Sequence, residues 1–293
     1  MQDMIVLNID SESETGRPIA EKFAVGPLPT LLFLNSDGTP RDAILGYLPP
    51  EPFMAEVARI ERGEGTLDTL QKKVAENPED LAARKDLAEK LVSFGDKAGS
   101  EAQIAEILKR DPEGKHAVTR RILFDQVVDK TLSGPRGQVP DPQPLSDYLA
   151  NETSPEILFE GHGLIAQLHA AHAKQNAGDA LKAAEHRAKA LVSRRLAWQH
   201  CPAEQREGYG NALAWSLWEE REQLDATGKA FALEVIVAAA EKSNDANVLD
   251  TLACCYFMNG QADKAIMTID RCIELQPDNE DWKKRRTMFE TGH

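Results

Sequence analysis

The chain has 293 residues, enough for about two domains and a large hydrophobic core. Hydrophobic residues make up 42% of the chain and charged residues 28%, which excludes a disordered or collagen-like protein. Acidic residues outnumber basic ones by 48 to 34, giving a net charge of −14, so neither nucleic acid nor an anionic membrane surface is an expected partner.

Membrane and export signals do not stand out in the sequence. The longest apolar run, near residues 29–34, is far shorter than the ~20 residues that span a bilayer. Met1 is not followed by the basic, apolar and small-residue parts of a signal peptide. We expect no membrane span, and the sequence leaves the compartment open.

The cysteines give no sign of a redox or metal site. Cys201, Cys254, Cys255 and Cys272 form no Cys-x-x-Cys pair and have no zinc-ligand spacing. Small, reduced, buried side chains are the simplest interpretation. We therefore expect no metal and no cofactor.

Residues 1–62 have a mixed strand and helix pattern. Apolar, branched runs bounded by turn residues are typical of strands, and Asn35-Ser36-Asp37-Gly38 is a hairpin signal between two of them. The predicted elements are a strand at 5–9, a short helix at 15–23, antiparallel strands at 30–34 and 43–46, and a helix that begins at Pro50.

The order of these elements and the residues within them resemble the carboxyl-terminal half of thioredoxin. The matching residues are Leu7-Asn8-Ile9-Asp10, Phe23-x-Val25-x-x-Leu28-Pro29-Thr30-Leu31-Leu32-Phe33-Leu34, Asp37-Gly38, Gly46 and the helix from Pro50. The resemblance implies a cis peptide bond before Pro29 and a substrate-binding loop made of Leu28, Pro29 and Thr30. An X-Pro bond is where a cis peptide costs little.

The thioredoxin resemblance also has a gap. The family's first strands and the helix that carries Cys-x-x-Cys would precede the strand at 5–9, and only a few residues do. The missing second strand would lie between the strands at 5–9 and 30–34. Either the chain is the end of a longer protein, or its three strands pair directly in a smaller sheet. In both cases we expect no thiol–disulfide exchange from this chain.

Residues 63–132 and 155–290 have a helical pattern throughout. Pro78 and Pro112 are 34 residues apart, which is the tetratricopeptide period. The packing and turn positions between them are held by Leu87, Ala88, Leu91, Gly95, Ile104 and Ile107. Ser100 replaces the usual alanine, so this copy is a divergent one.

The clearest tetratricopeptide resemblance is at residues 247–277. Its defining positions hold Leu249, Leu252, Ala253, Tyr256, Gly260, Ala265, Ile269, Cys272 and Pro277. Small residues at Ala253 and Ala265 allow two antiparallel helices to approach closely, Gly260 makes the turn, and Pro277 ends the second helix. Two weaker helix pairs are predicted at 164–191 and 211–240, the latter with a turn lengthened over 219–228.

The predicted fold class is α+β. A partial thioredoxin-like βαββα domain at 1–62 is followed by an all-α tetratricopeptide-type helical repeat domain at 63–132 and 155–290. The repeats are separated by a predicted linker at 133–154, because residues 133–144 contain four prolines and two glycines, which resist helix formation.

Stacked helix pairs build a concave face that holds a peptide or a helix. Arg84 and Lys85 are the candidates for binding a carboxylate in the first repeat, and Asp250 lies on the last. Trp215 and Trp218 share one helix face and are interpreted as packing residues.

Two further groups are interpreted as structural. His162, His169 and His172 are too few and too widely spaced for a metal site, so we expect ordinary surface or interhelical histidines. The basic run Lys283-Lys284-Arg285-Arg286 is interpreted as a solvated helix face.

The sequence therefore predicts a protein-interaction module that binds a protein or peptide partner and has no redox catalysis of its own. Two alternatives are open. The chain is the end of a thiol–disulfide oxidoreductase whose Cys-x-x-Cys lies upstream of Met1, or it is a thioredoxin-like co-chaperone or holdase. The co-chaperone alternative rests on the order of the domains and on residues 74–80, whose sequence is similar to that of bacterial thioredoxin-like chaperones with repeat tails.

Overall fold

The structure, a computed structural model, describes residues 4–292. It divides into two compact units, residues 1–123 and 124–293. Most of the described chain is helical, and its strands form one two-stranded antiparallel sheet. The helical repeats and the small sheet are thus the two structural components of the protein.

The amino-terminal unit begins with the small sheet and two helices. These elements are α1 (Arg17–Lys22), β1 (Thr30–Leu34), β2 (Pro40–Leu45) and α2 (Pro50–Glu61). Thr30 lies opposite Leu45 and Phe33 opposite Asp42, with an irregularity in the register after Phe33. One face of the sheet packs on α2, where Phe33 and Ile44 share a core with apolar side chains of that helix.

The strand predicted for residues 5–9 does not form. Residues 4–10 contain neither helix nor strand, and Ile5, Val6 and Leu7 are 91%, 79% and 75% exposed. An apolar, branched run becomes a strand only when a neighbouring strand pairs with its backbone, and among residues 4–292 no strand pairs with this one. The prediction of a three-stranded sheet is therefore wrong, and the thioredoxin-like fold of residues 1–62 stays a prediction.

Four helices follow in chain order. They are α3 (Leu67–Glu76), α4 (Leu81–Ser93), α5 (Lys97–Arg110) and α6 (Ala117–Leu132), of which α6 crosses the boundary between the two units. The side chains of Asp80 and Asp96 accept hydrogen bonds from the free backbone N–H groups at the starts of α4 and α5. The predicted helix pair between Pro78 and Pro112 is therefore present, with Gly95 in its turn.

A buried carboxylate ties the sheet to the first repeat. Asp42 on β2 is 0% exposed. Its Oδ2 lies 2.9 Å from Nη2 of Arg59 on α2, and its Oδ1 lies 2.6 Å from Nζ of Lys90 on α4. The backbone N–H of Ala43 donates a third hydrogen bond to Oδ1, at 2.8 Å. Three elements therefore meet at one charge that none of them could bury alone.

The carboxyl-terminal unit consists of helices. They are α7 (Gln143–Leu149), α8 (Pro155–Gln175), α9 (Ala180–His200), α10 (Arg206–Glu219), α11 (Ala226–Ala240), α12 (Ala246–Met258), α13 (Ala262–Leu275) and α14 (Glu280–Thr291). The pairs α8–α9, α10–α11 and α12–α13 correspond to the three predicted helix pairs of this part of the chain.

The segment 133–154 is irregular only in part. Residues 133–142 contain no helix or strand, but α7 occupies the second half. Leu145 and Leu149 of α7 are buried in a core with Ile157 and Ile165 of α8. Pro144 does not prevent this helix because it lies in the first turn, where a missing N–H costs nothing. The expectation of a continuous linker is corrected by this packed helix.

We predict that Asp42→Asn destabilises the amino-terminal unit by about 3 kcal/mol, because Arg59 and Lys90 then lose the carboxylate that compensates their partly buried charges. Urea-dependent amide hydrogen exchange of residues 30–110 measures the change. The control is Glu64→Gln, whose partner Arg62 is 57% exposed at the side chain and can be solvated, so stability should not change measurably. Equal stability of Asp42→Asn and the wild type would contradict the role given to Asp42.

We predict that Gly95→Ala costs more stability than Gly260→Ala. Both glycines have positive φ, +76° and +72°, so alanine costs about 1 kcal/mol at either turn. A Cβ at Gly95 would also lie 2.4 Å from Cβ of Ala24, whereas a Cβ at Gly260 meets nothing within 4 Å. We expect a total of about 2–3 kcal/mol at Gly95, measured by hydrogen exchange of the unit that carries each variant. Equal costs at the two turns would show that Ala24 moves aside freely.

Candidate protein-interaction surface

Side-chain contacts join three helices of the carboxyl-terminal unit: α10 and α12, which are the first helices of two successive pairs, and α14, which follows the last pair. Trp218 of α10 meets Phe257 of α12 edge-on, with ring centroids 6.4 Å apart. Phe257 in turn stacks on Phe289 of α14 at 4.8 Å. We call the solvent side of these three helices the first-helix face.

One residue from each helix meets on the first-helix face. The guanidinium of Arg285 on α14 donates a hydrogen bond from Nη1 to Oδ2 of Asp250 on α12. The same guanidinium lies 5.3 Å from the ring centroid of Trp215 on α10, in cation–π geometry. The Asp250 side chain is 10% exposed and that of Arg285 21%, so the Arg285–Trp215 pair covers α12 at this point. Arg285 and Trp215 therefore form the surface of the protein at this point.

Arg285 is the main partner that stabilises the charge of Asp250, and the side chain of Trp282 adds a weaker contribution. Burial is the largest influence on this carboxyl group and raises its pKa, while the hydrogen bond and the charge of Arg285 act in the opposite direction. The other oxygen, Oδ1, is buried and has no well-formed hydrogen bond to any of residues 4–292. Arg285 is thereby held in one position, because leaving it would expose Asp250 to an uncompensated burial cost.

The basic run in the middle of α14 is only in part a solvated face. Lys283 and Lys284 pair with acidic residues of their own helix and are largely exposed. Arg285 binds Asp250, and Arg286 donates to Asp270 on α13. The prediction of a wholly solvated run is wrong for Arg285 and Arg286, because their partners lie on neighbouring helices.

The residues predicted for the last repeat lie in and around one core. Leu249, Ala253, Ala265, Ile269 and Cys272 are buried there, together with Trp218. Leu252 and Tyr256 pack at the margin of this core. Gly260, at φ +72°, lies in the turn between α12 and α13, and Pro277 follows the end of α13. Trp218 is thus a packing residue, while Trp215 is only partly buried.

Arg84 and Lys85 are not free to bind a partner's carboxylate. Arg84 is buried, and its guanidinium donates to the backbone oxygen of Pro78 at 2.8 Å and to Oε1 of Gln103 at 2.8 Å. Lys85 forms an ion pair with Glu89 one turn away. The prediction that these two residues form a carboxylate site is therefore wrong, because Arg84 serves the carbonyl of Pro78 that precedes α4.

The loop at Leu28, Pro29 and Thr30 lies beside a shallow cavity in the amino-terminal unit. The Leu28–Pro29 peptide bond is cis, and Leu28 is 65% exposed. Thr30 lines a cavity of about 280 Å³ together with residues 23–27, apolar residues of the two strands, and Val92 and Ser93 of α4. Nothing in this geometry identifies what the loop binds, so its role in substrate binding stays a prediction.

All four cysteines are buried and unpaired. Burial raises the pKa of Cys255 and of Cys272 to about 12, and it also raises the pKa of Cys201 and Cys254. The thiolate is the reactive form, so these side chains are poor nucleophiles. They fill space in the helix packing.

Two of the three predicted histidines of α8 contact a fourth histidine, His186 on α9. Nδ1 of His169 lies 3.2 Å from Nδ1 of His186 on α9, and the ring of His172 stacks on that of His186. His162 lies apart from this group, and burial and the charge of His200 lower its pKa. The contact between His169 and His186 could have been predicted from the helix ends, because both residues lie six residues from the turn between α8 and α9.

Among residues 4–292, no set of three or more histidine, cysteine, aspartate or glutamate side chains is arranged to hold a metal ion. Over the same residues, no helix combines the length and the apolar character that a membrane crossing requires.

Comparison with known families supports the repeat architecture. Residues 61–127 match a family model described as Tetratricopeptide repeat. This range includes α3, α4 and α5, so the tetratricopeptide prediction for the first repeat is confirmed. No curated protein matches the chain. These comparisons do not support the thioredoxin-like prediction for residues 1–62.

We predict that the native protein shows no thiol reactivity. A disulfide reagent such as DTNB at pH 8 should modify fewer than about one of the four cysteines before unfolding and all four in guanidinium, because burial disfavours the thiolates. The chain should likewise fail to accelerate the reduction of insulin by dithiothreitol. Rapid modification of a native cysteine, or insulin reduction at thioredoxin-like rates, would contradict this prediction.

Proposed function

We propose that the protein is an interaction scaffold that binds a protein or peptide partner on the first-helix face of its carboxyl-terminal unit. The observation that carries the proposal is the arrangement of Trp215, Asp250 and Arg285, one from each of three adjacent helices. The tetratricopeptide match at residues 61–127 supports the general class, because stacked helix pairs present extended surfaces to other proteins.

The chemistry of this face suits protein recognition. Tryptophan and arginine are the side chains most enriched among residues that dominate binding energy at interfaces. Arg285 is already fixed by Asp250 and by the ring of Trp215, so a partner would not have to order a mobile arginine. We infer a partner segment that lays a flat or apolar surface on the Arg285–Trp215 pair.

A second contact of the same kind is proposed at Leu28, Pro29 and Thr30. Leu28 is exposed, and the adjacent cavity has a mostly apolar lining that includes Leu32, Leu45 and Val92. An extended apolar peptide would suit this loop. No specific observation favours the oxidoreductase or the co-chaperone alternative, so the proposal stops at partner binding.

Selection of peptides tests the first-helix face. We expect a phage-displayed library of random 12-residue peptides, panned on the full chain, to yield sequences whose synthetic forms bind at micromolar concentration. Ala212→Arg should weaken their binding at least tenfold. Ala212 is exposed and lies three residues before Trp215 on α10, so a long side chain there would obstruct the face.

The matched control is Met267→Arg on α13. Met267 is 73% exposed and belongs to a second helix, so this variant should bind the selected peptides as the wild type does. Circular dichroism establishes that both variants are folded. Equal loss of binding in the two variants, or selection of peptides that Ala212→Arg still binds fully, would overturn the proposed location.

A further inference from the structure

Three histidine rings form one contact group between α8 and α9. Nδ1 of His169 is 3.2 Å from Nδ1 of His186, and the rings of His172 and His186 stack with centroids 4.8 Å apart and planes 17° apart. Nε2 of His172 lies 3.0 Å from the backbone oxygen of Pro140. The group, which we call the histidine clasp, thus joins two helices to the irregular segment 133–142.

The hydrogen bonds of the clasp constrain its protons. The oxygen of Pro140 can only accept, so Nε2 of His172 carries a hydrogen. The contact between His169 and His186 needs one Nδ1 that donates and one that accepts. If both rings were protonated, two N–H groups would face each other and the hydrogen bond would be lost. The observed contact therefore requires at least one of these two rings to be neutral.

The charged neighbours of the clasp come from each element that packs on it. Burial is the main cause that lowers the pKa of His169 and of His186, and the other histidines of the clasp and Lys189 on α9 add to it. Asp141, next to Pro140, acts in the opposite direction on His169, and Glu185 does so on His186. Glu185 is itself paired with Lys189 at 2.7 Å, so its charge is largely compensated.

We propose that the histidine clasp is a proton-sensitive latch, closed at neutral pH and opened at mildly acidic pH, that holds the segment at Pro140 on the α8–α9 pair. Protonation of both His169 and His186 makes each Nδ1 a donor and separates the two rings, so His186 withdraws from the ring of His172 that stacks on it. The ring of His172 then leaves its position under Pro140, and the segment 133–142 is released. This inference does not depend on the proposed partner binding.

The direction of the pH dependence follows from the lowered pKa values. The unfolded or open rings titrate near the ordinary histidine value of about 6.5, and His169 and His186 in the clasp titrate below it. The open form therefore binds more protons as the pH falls below about 6.5. Above that pH the clasp contributes its full stability. This contribution is lost as the pH falls from there through the lowered pKa values of His169 and His186.

Hydrogen exchange of the full chain tests the latch. Amide exchange is followed by mass spectrometry at pH 7.5 and pH 5.5, corrected for intrinsic rates, with EDTA in every sample to remove adventitious cations. For peptides covering residues 136–143 and 165–190, we expect wild-type protection to fall at least fivefold at the lower pH. In His186→Gln, which cannot be protonated, the fall should be less than twofold.

Two controls separate the latch from general acid sensitivity. His162→Gln removes a histidine of lowered pKa that lies outside the clasp, so this variant should respond to pH as the wild type does. His172→Gln keeps an N–H that can donate to Pro140 but has no ring to stack on His186, so the segment should stay protected at both pH values. An equal fall in wild type and His186→Gln would overturn the proposal.

A measurement on the wild type makes the test independent of variant folding. In NMR spectra of protein labelled with ¹³C at histidine Cε1, His169 and His186 should titrate below about 6.5 and in two linked steps. Independent transitions of His169 and His186 near the ordinary histidine value would contradict the latch, whatever the variants do.

Discussion

The carboxylate of Asp42 is the constraint on which the amino-terminal unit depends. A two-stranded hairpin is marginal on its own in water, and a lone carboxylate cannot be buried without compensation. Arg59 on α2 and Lys90 on α4 supply that compensation from two different elements. The sheet is thereby held on the first tetratricopeptide-type repeat, and residues 1–123 fold as one compact unit.

Much of the helical architecture could be predicted from local signals. Proline and glycine mark helix starts and turns, and the positive φ angles of Gly95 and Gly260 explain why those turns hold glycine. Small residues such as Ala253 and Ala265 mark where helices approach closely. These signals act within a few residues of one another, so a single sequence is enough to recognise them.

What could not be predicted depends on residues far apart in the chain. Lys90 lies 48 residues from Asp42, and Arg285 lies 35 residues from Asp250. A basic residue that pairs across helices looks the same in sequence as one that is solvated, and Arg84, which donates to Gln103 on α5, shows the same ambiguity. The strand prediction for residues 5–9 is wrong for a related reason, because an apolar pattern does not show whether a neighbouring strand is present to pair with it.

The open edge of β1 has a practical consequence for handling the protein. Among residues 4–292, β1 pairs only with β2, and its sequence from Thr30 to Leu34 contains no charge and no proline. Natural proteins normally protect such edges with charged residues, proline or a covering element, because the unpaired backbone of an exposed strand can pair with another chain and start aggregation. Because Ile5, Val6 and Leu7 are also exposed, concentrated solutions of this polypeptide should be monitored for turbidity and for the binding of amyloid dyes.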